Sequence, residues 1–253
     1  MLYKQFLGGV HQLLRPRQYL EIGVRSGDSL ALASCPAVGI DPYYAITAEL
    51  HNHVHLFRTT SDEYFTRPNP LAPTDGQPFD LAFIDGLHLF EFALRDFINA
   101  ERYSSPRGVI IFDDVLPRNV PEAARERRTV GWTGDVYSML EVLARYRPEL
   151  IVLPVGTEPT GLLLVLGTDP QNSVLPDRYH ELMAEFRHRD PQPVPRELLD
   201  RIMVLPPQRV LASPVWDLLG DPRERAMPGV ERDRLAEVVA RSLGPAFIRA
   251  PIS

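Results

Sequence analysis

One cysteine, one lysine and no long apolar run mark what this 253-residue chain lacks. Cys35 is alone, so no internal disulfide can form and the fold needs no oxidising compartment. The longest strongly apolar stretch, Leu162 to Leu166, falls far short of the roughly 20 residues that span a bilayer as a helix, so no membrane segment is expected. The opening residues hold no continuous apolar signal region and no small-residue cleavage site, which makes the cytoplasm the expected location. Lys4 is the only lysine, and with 25 prolines this reads as genomic codon bias rather than a functional signal. Basic charge in excess is also missing. A net charge of -6 and a pI near 5.7 argue against a general nucleic-acid binder, which needs a dense basic surface to neutralise phosphates.

What is present is an ordinary globular composition, 44% hydrophobic and 24% charged, ample for a full core. Short aliphatic runs alternate with helical patterns from residue 19 to about residue 167, as in βαβ units with a mainly parallel sheet. Strands are predicted at Tyr19–Gly23, Ala37–Ile40, Val54–Arg58, Phe79–Ile84, Val109–Phe112, Leu150–Val155 and Leu162–Leu166. The link between the last two, Gly156 to Gly161, is too short for a crossover helix, so they should form an antiparallel hairpin. The expected fold is therefore α/β and Rossmann-like, with a seven-stranded, mostly parallel sheet ended by an antiparallel strand. A helix over Tyr3–Leu14, with Phe6, Val10, Leu13 and Leu14 apolar, should cover a sheet edge or a ligand mouth. Four prolines between residues 67 and 78 predict an exposed loop. Residues 1–169 read as the binding domain. Residues 170–253 read as a Pro-rich helical extension, a lid or oligomerisation element, with helices over Asp177–Arg187, Pro195–Ile202 and Arg232–Leu243. Within it, Trp216, Leu218 and Leu219 offer a contact for a homo-oligomer.

The first strand runs into YLEIGVRSGDS, where Glu21, Gly23 and Gly27 fit E-x-G-x-x-x-G at a strand-to-helix turn. Glycines there let backbone approach a ligand, and a following helix would offer free N–H groups. Asp41 ends the second strand 18 residues after Gly23, where a carboxylate can accept both hydroxyls of a ribose. After the third strand, Ser61 and Asp62 can meet an adenine edge, although Ser61 equally suits a helix N-cap. Asp85 ends the fourth strand and Asp113–Asp114 the fifth. Adjacent parallel strands bring these acids to one crevice, and a hard cation such as Mg²⁺ is the natural counter-charge. The alternative is that Asp113 or Asp114 only caps a turn.

The ordered series EIGVRSGDS, GIDP, IDGLH and IIFDD resembles the class I S-adenosylmethionine-dependent methyltransferases, in particular the macrocin O-methyltransferase-like and cephalosporin-biosynthesis-type group, over roughly residues 15–167. The resemblance implies Glu21, Gly23 and Gly27 around the methionine part of the cofactor and Asp41 on the ribose; with Ser26, Ser61, Asp62 and Asp85 these make up the candidate cofactor site. It implies Asp85, Asp113 and Asp114 as Mg²⁺ ligands. Arg107 departs from the pattern, standing where a glycine is often found before the acidic pair, and the extension matches nothing in it.

His88, three residues after Asp85, is a candidate general base with Asp85 beside it as catalytic, though a capping histidine fits equally. His51, His53 and His55 alternate like a metal triad but sit near the entry end of a strand, away from the crevice, and are set aside. Trp132 and Asp135 either wall the acceptor site or form a loop and N-cap. The reading is a methyltransferase acting on a hydroxyl of a small-molecule acceptor, a sugar or natural product, with Mg²⁺ assistance. Its rivals are a metal-independent N- or O-methyltransferase and a non-catalytic nucleotide-binding or assembly protein. A nicotinamide oxidoreductase is disfavoured because the turn lacks G-x-G-x-x-G.

Overall fold

The computed structural model describes residues 1–220 and 232–247. Its strands are β1 (Tyr19–Ile22), β2 (Ala37–Ile40), β3 (Val54–Phe57), β4 (Phe79–Ile84), β5 (Ser104–Phe112), β6 (Ile151–Val155) and β7 (Leu162–Leu166). They form one seven-stranded sheet in the order β3-β2-β1-β4-β5-β7-β6. The first five are parallel, while β7 lies antiparallel between β5 and β6. This is the expected Rossmann-like arrangement. Every residue of β1, β2, β4 and β7 is buried, because helices cover both faces of a parallel sheet and its strands become continuous apolar runs. The first helix, α1 (Tyr3–Leu14), buries Phe6, Val10 and Leu14 as patterned, with Leu7 and His11, but leaves Leu13 exposed. It covers a sheet face rather than an edge and brings Tyr3 to the crevice described below.

Three local expectations are corrected. No α-helix follows β1; the chain makes only a 3-10 turn at Leu30–Leu32, so the glycine turn is not followed by a helix N-terminus. Ser61 does not cap α2 (Ser61–Phe65), since Thr60 accepts from the Glu63 N–H and Glu63 reaches back to Thr60. And β5 starts at Ser104, ahead of the predicted Val109, through a register shift opposite Phe79–Leu81. Gly108 permits that irregularity, since a Cβ there would lie 2.9 Å from the Ser104 side chain and from the Ser105 carbonyl oxygen. The Pro-rich loop holds one 3-10 turn, Ala72–Thr74, and is otherwise irregular.

Two further helices flank the sheet, α3 (Phe90–Arg102) and α4 (Ser138–Tyr146). The extension contributes α5 (Val174–Asp177), α6 (Tyr179–Phe186), α7 (Arg196–Leu199), α8 (Pro207–Leu211), α9 (Val215–Gly220) and α10 (Arg232–Ser242). The predicted helix over Asp177–Arg187 thus divides at Arg178, and that over Pro195–Ile202 shortens to one turn. Residues 221–231 and 248–253 of the predicted extension lie outside the described residues. The rest of the extension shares the core: Leu205, Val210, Val215 and Val239 pack in the cluster that holds α1 and Phe83, while Leu175, Leu182 and Phe186 join the opposite one. Trp216, Leu218 and Leu219 are 3%, 8% and 3% exposed, so they are spent on this packing and offer no surface for the anticipated oligomer contact. Among the described residues no helix is long and apolar enough to cross a membrane.

Candidate active site

Pairing β1 with both β2 and β4, and β4 with β5, sets four strand tips side by side, and the residues that follow each tip open onto one crevice of ≈ 710 Å³. Gly23, Asp41, Ser61, Asp62, Asp85, His88, Asp113, Asp114 and Trp132 all line it. Glu21, Ser26, Gly27 and Asp135 do not. A second cavity of ≈ 540 Å³, between α4, β6 and the extension, lies away from these tips and is walled largely by apolar side chains.

The glycine turn works by close packing of strand tips. Gly23 has φ +90°, and a Cβ there would stand 1.9 Å from the Asp85 carbonyl oxygen, so only glycine lets the β1 tip pass this near the β4 tip. Glu21 lies beneath this floor, fully buried, accepting from the Tyr19 hydroxyl at 2.6 Å and the Ser29 hydroxyl at 2.8 Å. Burial raises its carboxyl to about 8 despite those two bonds. Asp41 accepts backbone N–H bonds from Arg25 at 2.8 Å and Tyr43 at 2.6 Å, which fix the carboxylate at the crevice mouth. Asp62 is bound through both oxygens by Arg95, with bonds of 2.8 Å from Nε and Nη2, and Arg95 also donates to the Tyr179 hydroxyl of α6.

Among the described residues, the set able to converge on one ion is Asp85, His88 and Asp114, whose ligand atoms lie within 4.8 Å of one another. Asp113 is not in that set. It sits behind Asp114, its Oδ1 accepting the Asp114 N–H at 2.8 Å. Asp114 itself has φ +60°, a left-handed conformation unusual for a residue with a Cβ and one that turns its side chain back into the crevice. His88 Nε2 stands 3.4 Å from Asp85 Oδ1 and 3.1 Å from Asp114 Oδ2. The Nδ1 bonds the Trp132 carbonyl oxygen at 2.9 Å, and the two rings stack at 4.9 Å and 18°. Gly134 makes this loop approach possible, because a Cβ there would meet the His88 carbonyl oxygen at 1.6 Å.

The electrostatics follow from three acids in a half-closed pocket. Burial pushes Asp114 up to about 6, eased by the neighbouring His88, and pushes Asp113 well above the carboxylate range with Asp85 and Asp114 adding to the effect. His88 runs the other way: burial would lower it, but the bond to Asp85 and the charges of Asp114 and Asp85 prevail and raise it to about 9. Without an added ion, the imidazolium is therefore the counter-charge of Asp85 and Asp114. Tyr3, at the start of α1, has its phenol raised by burial and by the nearby acids.

Asp135, expected at the acceptor wall, is fully buried. It accepts the Phe90 N–H at 2.6 Å and pairs with Arg125, so it caps α3. The three alternating histidines stay apart from the crevice; His53 and His55 touch each other, and β3 begins only at Val54. Tyr3, Phe92, Asp96, Arg127 and Thr160 line the crevice without having been anticipated. Tyr3 and Thr160 arrive from an N-terminal helix and a hairpin turn that carry no motif; Asp96 is one polar residue on an amphipathic helix, where nothing in the sequence separates it from a solvated one.

Residues 20–115 match the family model described as a methyltransferase domain, a span that begins in β1 and closes just after the acid pair. Over that span, less than half of the chain, the match is to a methyltransferase domain. Among solved structures the chain is similar to the O-methyltransferase TomG from Streptomyces achromogenes, involved in tomaymycin synthesis, in complex with S-adenosylmethionine (22% identity, 66% of this chain and 79% of that one, TM-score 0.47). It is also similar to the O-methyltransferase from Bacillus cereus in complex with S-adenosylhomocysteine (20%, 65% and 80%, TM-score 0.46) and to the S-adenosylhomocysteine-bound Podospora anserina methyltransferase PaMTH1 (14%, 66% and 78%, TM-score 0.47). No curated protein matches the chain.

Proposed function

We propose that this chain is an S-adenosylmethionine-dependent methyltransferase that acts on a hydroxyl oxygen of a small-molecule acceptor, a sugar or hydroxylated natural product of the kind handled by macrocin O-methyltransferase-like enzymes, with Mg²⁺ held by Asp85 and Asp114. The observation that carries the reading is the convergence of Asp85, His88 and Asp114 in the same crevice as Gly23 and Asp41. The donor set fits a hard cation: Asp85 and Asp114 converge with Asp113 behind them, so three carboxyl groups face the single His88 imidazole. Asp85 and Asp114 would hold the ion. Bound there, it would lower the pKa of an acceptor hydroxyl as a Lewis acid.

The remaining work falls to side chains. Asp41 orients the nucleoside through ribose, and Gly23 leaves room beside the Asp85 backbone. His88 is aimed by the Trp132 carbonyl so that Nε2 faces the acids, and in its neutral form it would accept the hydroxyl proton there, becoming the imidazolium that the acids favour. Trp132 and the exposed Leu87 and Val130 form an apolar rim that favours a desolvated acceptor. A second reading, metal-independent transfer, is favoured by one observation: His88 already bridges both carboxylates. Methyl transfer from labelled S-adenosylmethionine to a panel of vicinal diols and catechols separates the two. Activity lost in chelator, restored by Mg²⁺ and abolished in Asp85→Ala and Asp114→Ala supports the metal reading; activity that survives all three treatments leaves the metal-independent one.

A further inference from the structure

We propose that Asp96 selects the base of the cofactor, its carboxyl accepting a hydrogen bond from the exocyclic amine of adenine. The inference rests on the crevice binding an adenosyl cofactor and adds a residue that neither the E-x-G-x-x-x-G turn nor the acid pair points to.

Asp96 is 2% exposed, two turns into α3, yet it lines the crevice beside Ser61 and Phe92. Its Oδ1 is buried with no hydrogen-bond partner among the described residues, and the Ser61 hydroxyl and, more weakly, the charge of Arg95 ease the carboxylate. The other oxygen lies 3.4 Å from where a Cβ on Gly86 would stand, directly under the turn that follows β4. A buried acceptor left this way costs free energy unless a ligand supplies the donor. Burial accordingly raises the carboxyl to about 7, with Asp62 adding to the effect.

The sheet order says which part of the ligand arrives there. Asp85 and Asp114 follow β4 and β5, whereas Asp41 and Ser61 follow β2 and β3. A ribose held at Asp41 leaves its base in the slot bounded by Ile22, Ile40, Ser61, Phe92 and Asp96. Of these, Ile22, Ile40 and Phe92 offer apolar faces to a flat ring, and Asp96 is the acid among them. Asp62, the neighbouring acid, is committed to Arg95 through both oxygens, so Asp96 is the carboxyl left to read the base edge. Adenine presents an N–H donor at its 6-position; hypoxanthine presents a carbonyl, which would set acceptor against acceptor.

The test is the affinity of the full chain for S-adenosylhomocysteine and for S-inosylhomocysteine, measured by calorimetry on the wild type and on Asp96→Asn at about pH 8.5, where the Asp96 carboxyl is ionised and can only accept. The wild type should prefer the adenosyl compound by about 10- to 100-fold, the range expected for a mispaired buried acceptor. Asp96→Asn, whose amide offers a donor to the 6-carbonyl, should shrink or reverse that preference. Equal wild-type affinities, or an unchanged ratio in Asp96→Asn, overturn the assignment of Asp96 alone. The wild-type ratio decides if the variant fails to fold, and binding of neither compound overturns the cofactor reading together with the inference.

Discussion

His88→Gln should destabilise the metal-free protein in a way that fades as pH rises. The imidazole is held at about 9 against its ordinary 6.5, and at about 1.4 kcal/mol per pH unit that difference corresponds to ~3 kcal/mol of folding free energy. The side chain is 23% exposed, so solvent screening trims the figure to ~2–3 kcal/mol. Because the folded-state pKa lies above the unfolded one, the contribution is fully present below about pH 6.5 and is lost as pH rises through about 9. Asp114 sets the lower bound: raised to about 6, it is protonated in more acidic solution and the imidazolium then has less charge to offset. The largest deficit should therefore fall near neutrality. Urea unfolding of both proteins in chelator, from about pH 6.5 to 9.5, reads it directly, and Mg²⁺ should narrow the gap near neutrality by supplying the missing charge. A deficit that stays constant over that range, or an NMR titration of His88 near 6.5, would refute the reasoning.

Three other outcomes follow from contacts at the crevice. Gly23→Ala sets a Cβ 1.9 Å from the Asp85 carbonyl at φ +90°, so it should cost ~3 kcal/mol or more and abolish cofactor binding; a melting temperature within about one degree of wild type would contradict the tight strand-tip packing. Arg95→Met frees Asp62 and undoes the bond to Tyr179; with both ion-pair partners partly exposed, the stability loss should be about 1 kcal/mol and S-adenosylhomocysteine affinity should change less than about threefold. Asp41→Ala should weaken S-adenosylhomocysteine by about tenfold or more in calorimetry while leaving Mn²⁺ binding at Asp85 and Asp114 intact.

Much of the framework was legible because its signals are local. Each of the seven strands is a short aliphatic run, and the link from Gly156 to Gly161 could only close a hairpin. Gly23, Asp41, Asp85 and Asp114 reach one crevice because parallel pairing leaves no other place for strand tips. What escaped depends on contacts between distant segments. Glu21 and Asp135 occupy motif-like positions but are taken by Tyr19, Ser29, Phe90 and Arg125. The metal-competent set exchanges Asp113 for His88 because Asp114 adopts a left-handed backbone, which a spacing argument cannot foresee. Trp216 and its neighbours looked available for a partner only because the depth of the extension's packing is invisible in one dimension.

A crystal structure of the protein with S-adenosylhomocysteine and Mn²⁺ tests the central claim most directly. Anomalous density between Asp85 and Asp114, with ribose on Asp41 in the same crevice, is the predicted result. Ribose bound elsewhere on the molecule, or a nucleoside seated in this crevice with no ion between those carboxylates, would contradict the cation-assisted account.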